Sequence, residues 1–266
     1  MTASTAPPMG GTNGNPAFDK PEVRQALATP SAESTMTVGG VVVKTAVFLV
    51  LLLAAGAYGW NATADPGTAD AAGGYGNVTV TIPGGFWLAS LGALFVGIFT
   101  SLNPRMAMVG GAIYALLEGY LLGSISAMFE TQTQGIVSAA VLATLGVFLA
   151  ALVLYLTRII RPTARMAFGV TAAIGGLCLF YLAVWVLSIF DVAFLYSDEF
   201  RTVGIVVTLV AIVLAALSLT LNFAAIEGGV ATGAPSWLEW YSAYGLMVTL
   251  IWLYLLLLRL LASSQR

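Results

Sequence analysis

The sequence predicts an all-α fold, a polytopic membrane bundle of seven transmembrane helices. Of its 266 residues, 59% are hydrophobic and only 8% are charged, whereas a typical soluble domain carries about 25% charged residues. Apolar runs of the length that crosses a bilayer, about 20 residues, recur seven times along the chain. A membrane-embedded bundle is therefore expected, with the lipid bilayer as its first partner.

The seven apolar runs define the predicted spans, and a polar segment precedes them. Residues 1–35 are rich in Thr, Ala, Pro, Gly and Ser, which predicts a disordered tail before a membrane domain over residues 36–266. The connections are mostly short, which predicts antiparallel neighbours, and the longest, about 61–84, is expected to be irregular. The predicted spans are 40–60, 85–102, 106–128, 136–157, 167–190, 203–224 and 242–262.

The lysine and arginine residues predict the orientation. If the spans alternate, seven of the ten basic residues lie on the side of the N-terminus, which places that end in the cytoplasm. Seven crossings put the C-terminus outside, although Arg259 and Arg266 favour the inside. A last segment that enters the membrane without crossing it is the alternative.

Composition excludes several classes of function. The net charge is −2 and the basic residues are spread along the chain, so no nucleic-acid partner is predicted. The chain has no histidine, which removes histidine metal sites and Ser–His–Asp catalysis. The single cysteine, Cys178, is expected to be a small buried hydrophobe. We predict no enzymatic activity and no cofactor, and any proton sensing must use carboxylates.

Glu118 is the residue most suited to chemistry. It lies about halfway along the third predicted span, where an ionised carboxylate costs at least about 2.5 kcal/mol. We therefore expect it to face the bundle interior or a water-filled cavity. Two roles are open: a proton- or cation-responsive site, or a neutral acid that hydrogen-bonds to a neighbouring helix. Small residues around it (GGAIYALLEG, 110–119) and in TAAIGGL (171–177) predict close helix packing.

Three further residues are candidates for the same site. Asn222, inside the sixth span, is expected either to bridge helices or to supply a neutral oxygen ligand. Glu227, just after that span, either attracts cations at the cytoplasmic mouth or is a solvated loop acid. A helix continuing through Ile226 would place these two about 140° apart. Arg105, at a short turn, is either a cytoplasmic anchor or a latch for a buried acid.

Six stretches stand out together: NPAF (15–18), MTVGGVVVKTA (36–46), EGYLLGSIS (118–126), YLTRIIRPTARM (155–166), IEGGVATGAP (226–235) and WLYLLLLRLL (252–261). In combination they resemble the Bax inhibitor-1/YccA-like family, in its actinobacterial branch. The resemblance implies a bacterial plasma-membrane protein whose last helix is central and wrapped by the other six. It also implies a pH-sensitive leak of Ca²⁺ or another cation. The alternative is a regulator of a membrane-bound protease or other membrane protein in stress response, without transport.

The resemblance also places the family's functional residues. Glu118 matches the family's Glu–Gly pair in the third helix. The family's leak uses two proton-sharing aspartates in the sixth and seventh helices, and the aligned positions here hold Ala224 and Thr249. This chain is therefore expected to lack the pair of coupled carboxylates. Glu118 and Glu227 could replace it only if the fold brings them together.

Overall fold

Seven α-helices account for most of the residues that the structure describes. The computed structural model describes Pro21 and residues 35–63, 82–160, 162–190 and 197–264. Six of the helices are long and apolar enough to cross a membrane, and the second is a shorter apolar helix of 17 residues. The prediction of an all-α polytopic bundle is confirmed. The helices are α1 Val38–Thr63, α2 Phe86–Leu102, α3 Ala107–Gln132, α4 Ile136–Leu156, α5 Ala164–Ile189, α6 Asp198–Ala231 and α7 Trp237–Ser264, with a one-turn 3-10 helix at Pro104–Met106.

Some predictions concern residues outside these ranges. Apart from Pro21 and Thr35, the predicted disordered tail lies outside the described residues, as do residues 64–81 of the long connection and the basic residues Arg161 and Arg266. The cytoplasmic placement of the α1 end stays a prediction from the distribution of basic residues.

The last helix is central, as the resemblance implied. Its buried residues extend from Leu238 to Leu258, and it contacts every other helix. The contacts are Phe48–Trp240 with α1, Gly97–Tyr244 with α2, Ser126–Tyr254 with α3, Ala140–Leu258 with α4, Tyr181–Arg259 with α5 and Asn222–Thr249 with α6.

Helix α7 also runs the full length of the bundle. Near its start, Glu239 contacts Thr37, which immediately precedes α1. Near its end, Leu258 packs against Ile136 at the start of α4. Because α3 separates these two ends of the bundle, the last helix traverses the bundle; the side of the membrane on which its C-terminal end lies stays a prediction.

Helices α1 and α3 approach each other along a ladder of small residues on α3. The ladder repeats every fourth position, which places its members on one helix face, and all are buried: Gly111, Ala115, Gly119, Gly123 and Ala127. A Cβ on Gly123 would overlap the carbonyl oxygen of Gly56 and lie 2.6 Å from its carbon. Lipid tails are as apolar as leucine, so helices in a bilayer associate through such close packing.

The expectation of close packing is wrong for the second small-residue stretch. On α5, a Cβ at Gly175 or Gly176 would meet nothing within 4 Å. Cys178, on the same helix, is exposed rather than buried. Both corrections have one cause: α5 lies at the periphery of the bundle, where apolar side chains face outward, and hydropathy does not separate lipid-facing from buried positions.

Helix α6 is longer than predicted at its C-terminal end. It extends over 34 residues and ends at Ala231, just before Gly233 with its left-handed φ of 68°. The prediction ended the span at residue 224, which left Glu227 beyond it. Glu227 instead lies on the helix, about 140° around the axis from Asn222, so the two side chains do not share a face.

Candidate functional site

Glu118 lies beside a cavity between three helices. It is the twelfth of the 26 residues of α3 and is half-buried. The cavity has a volume of about 560 Å³ and opens between α2, α3 and α7. Apart from Glu118, its polar lining comes from Ser90, Ser101, Tyr114 and Tyr244. A carboxyl group at mid-length of a membrane helix therefore faces a space rather than a packed core.

The hydroxyl groups around Glu118 form a small polar cluster. Tyr114, one turn earlier on α3, interacts with the Glu118 carboxyl. The Tyr114 ring contacts the Tyr244 ring edge-on, with centroids 5.4 Å apart. The Tyr244 hydroxyl donates to the Gly97 carbonyl oxygen at 3.0 Å and interacts with Ser101. Tyr114, the side chain that interacts with the Glu118 carboxyl, thus lies on the same helix as Glu118.

Asn222 bridges α6 and α7. Its Nδ2 donates to Oγ1 of Thr249 at 3.1 Å, and that hydroxyl donates to the Gly245 carbonyl oxygen at 2.9 Å. The resemblance aligned the family's two aspartates with Ala224 and Thr249. The α6–α7 contact at this level is therefore made by an amide and a hydroxyl, neither of which changes charge with pH.

Glu227 lies near the C-terminal end of α6 and does not line the Glu118 cavity. It is exposed and accepts a hydrogen bond from the Tyr155 hydroxyl of α4. Together with Tyr155, Arg158 and Pro162 it lines a separate cavity of about 340 Å³. The fold therefore does not join Glu227 to Glu118. Within the described ranges, no group of three Cys, Asp or Glu side chains is placed to hold a metal ion.

Arg105 lies at the end of the bundle where α7 begins. Its guanidinium is 5.9 Å from the centre of the Trp237 ring, and the residue is exposed. Such a cation–π contact at an exposed site contributes about 0.5–1 kcal/mol. This contact places Arg105 at the start of α7, at the same end as the buried acid Glu239.

Sequence reasoning missed the ion pair formed by Glu239. This residue is 6% exposed, and its Oε2 lies 2.5 Å from Nζ of Lys44. Its Oε1 accepts from the backbone N–H of Thr37 at 2.7 Å and from the Thr37 hydroxyl at 3.1 Å. A Cβ on Gly40 would overlap both carboxylate oxygens. Two features of the sequence could have indicated this pair. One is a lysine inside the apolar run VVVKTAVF, and the other is an acid between aromatic residues in WLEWY.

The chain matches one family of known proteins. A family model described as Bax inhibitor 1 like matches residues 15–266. The match includes all seven helices and hence the Glu118 cavity and the Lys44–Glu239 pair. No curated protein and no solved structure matches the chain.

Proposed function

The chain belongs to the Bax inhibitor-1-like family of multi-span membrane proteins, and we propose that it is a proton-sensitive cation leak of the bacterial plasma membrane. Glu118 is the responsive group, and Ca²⁺ is the first ion to test. The observation that supports this function is the position of the Glu118 carboxyl, at mid-length of α3 beside a cavity of about 560 Å³. Intramembrane carboxyls commonly mark ion or proton pathways.

The proposal assigns a simple pH dependence to the leak. An ionised Glu118 attracts a cation to the cavity, and a protonated Glu118 does not, so flux is expected to fall as the pH falls. The Asn222–Thr249 contact is neutral and does not take part in this response. A single carboxyl is therefore expected to give one titration step, whereas two coupled carboxyls give two. In this proposal Asn222 bridges helices, Glu227 attracts cations at the end of α6, and Arg105 anchors that same end of the bundle.

Replacing Glu118 with glutamine tests the function directly. Gln keeps the size and the hydrogen-bonding capacity of the side chain but removes the charge. We expect Ca²⁺ flux in liposomes to be greater at neutral than at acidic pH for the unmodified protein, and the Glu118→Gln variant to lose this difference. The measurement is dye-reported Ca²⁺ entry at both pH values, against protein-free liposomes.

The matched control is Glu199→Gln, which removes an exposed carboxylate in the first turn of α6. This variant should keep the pH-dependent flux. Flux of the unmodified protein equal to that of empty liposomes would refute the leak. Unchanged pH dependence in Glu118→Gln would remove Glu118 from the mechanism.

A second function is regulation of another membrane protein. It is favoured by the contacts that hold the residues before α1 against the α6–α7 turn. Met36 is 2% exposed, its N–H donates to the Ala234 carbonyl oxygen at 2.7 Å, and Thr35 pairs with Pro235. Thr35 and Met36 therefore lie beside the α6–α7 turn. This fixed position at the end of the predicted tail suits a tail that binds a membrane-bound protease or another partner.

Deleting residues 1–33 distinguishes the two functions. It leaves Thr35, Met36 and Thr37 in place, so we expect the domain to fold and any leak to persist. If the protein is a regulator, partners that co-purify from native membranes should be lost with the tail. Retention of every partner by the shortened chain would argue against the tail as the contact.

A further inference from the structure

A third cavity lies at the opposite end of α7 from Glu239. It has a volume of about 610 Å³ and is bounded by the start of α6, the end of α7 and the end of α3. Neither Glu118 nor Glu227 lines it, so it is independent of the proposed leak. Its lining comprises Phe129, Ser197, Asp198, Phe200, Arg201, Gly204, Ile205, Thr208, Arg259, Ala262 and Ser263.

The charged groups of this cavity favour an anion. Arg201 comes from α6 and Arg259 from α7, while Asp198 is the one acid among the described residues of the lining. The Arg259 guanidinium is positioned over the Tyr181 ring of α5, 5.5 Å from its centre. Two guanidiniums against one carboxylate leave a net positive site, and the planar guanidinium fork matches a phosphate group.

The position of the cavity along α6 indicates the headgroup region of a bilayer. Helix α6 has 34 residues, which corresponds to about 51 Å, whereas the hydrocarbon core is about 30 Å thick. The helix is therefore long enough for both of its ends to leave the hydrocarbon, and its first turns, with Asp198, Glu199 and Arg201, are charged. Ser197 caps this end by accepting from the Phe200 N–H at 3.2 Å.

The remaining lining is apolar. Phe129, Phe200, Ile205 and Ala262 contribute hydrophobic surface next to the two arginines. A free phosphate ion would gain nothing from these side chains, whereas a phospholipid has glycerol and acyl carbons beside its phosphate. The two guanidiniums complement the negative charge and the phosphate oxygens of an anionic headgroup. We infer that this cavity binds the phosphate of an anionic phospholipid, with Arg201 and Arg259 as its ligands.

Lipid retention by the purified full-length protein tests the site. After delipidation in detergent, native mass spectrometry would compare the retention of added phosphatidylglycerol and phosphatidylcholine. We expect phosphatidylglycerol to be retained about tenfold better. The Arg201→Gln/Arg259→Gln variant should retain both lipids equally, because the charge that distinguishes them is lost.

The control is Arg165→Gln, which removes an exposed arginine from the first turn of α5 and should leave the preference intact. Thermal unfolding checks that the double variant is folded. Equal retention of the two lipids by the unmodified protein would overturn the inference, as would an equal loss of preference in Arg165→Gln. Displacement of phosphatidylglycerol by excess inorganic phosphate would show a site for free phosphate, which also overturns the lipid assignment.

Discussion

Replacing Gly123 with alanine is expected to force α1 and α3 apart and to destabilise the bundle more than any surface substitution. The added Cβ would overlap the Gly56 carbonyl oxygen and lie 2.8 Å from the Gly56 Cα. These are backbone atoms, so no rotamer change can relieve the clash. Overpacking commonly costs about 1–3 kcal/mol, and we expect this substitution to lie at or above the upper end.

Thermal unfolding in detergent, followed by tryptophan fluorescence, measures the effect. By the scaling that soluble domains of this size follow, about 3 kcal/mol lowers Tm by roughly 6–12 °C. Two variants serve as controls. A Cβ on Gly56 would lie 3.4 Å from the Gly119 carbonyl oxygen, so Gly56→Ala should cost less at the same interface. A Cβ on Gly146 of α4 meets nothing within 4 Å, so Gly146→Ala should be neutral or slightly stabilising.

Equal Tm values for Gly123→Ala and Gly146→Ala would contradict the close approach of α1 and α3. The result matters for the candidate site because Glu118 precedes Gly119 on the same helix. The packed face of α3 against α1 holds the helix in the orientation that directs Glu118 toward the cavity.

Replacing Lys44 with methionine is the second change with a large expected effect. It leaves the Glu239 carboxylate, only 6% exposed, without its cationic partner. Removing one member of a buried ion pair commonly costs about 3–5 kcal/mol, because the remaining charge is buried and uncompensated. The remaining contacts to Thr37 stabilise the carboxylate only in part.

The Lys44→Met/Glu239→Gln double variant identifies the cause of the loss. The amide introduced by Glu239→Gln has no charge to compensate and could still accept from Thr37, so we expect the double variant to recover a large part of the lost Tm. Arg105→Met is the matched control at the same end of the bundle, since Arg105 is exposed and its contact with Trp237 is a cation–π interaction; its cost should be at most about 1 kcal/mol. A double variant less stable than Lys44→Met would show that the unpaired charge is not the cause.

The ion pair also has a functional consequence. It joins the start of α1 to the first turn of α7, next to the Met36–Ala234 hydrogen bond. Loss of the pair should therefore loosen the attachment of Met36 and Thr37 to the α6–α7 turn and α7. If the protein is a regulator, partner binding and Tm should fall together in Lys44→Met.

The sequence by itself determined the class of the protein, the number of helices and most of their bounds. All three follow from apolar runs of about 20 residues. Such runs can be found in the sequence without knowledge of any tertiary contact. The six matching stretches also determined the family and the central place of the last helix. The position of Glu118 near mid-membrane followed from its place within one span.

Only the tertiary structure decided which polar and charged residues contact one another. The Lys44–Glu239 pair joins residues 195 positions apart, and Asn222 meets Thr249 through the packing of two separate helices. The separation of Glu118 from Glu227, the outward face of α5 and the arginine cavity all depend on how the helices rotate about their axes. That rotation is set by the close fit of small residues between helices, because lipid and protein interior are equally apolar and hydropathy alone does not distinguish the two.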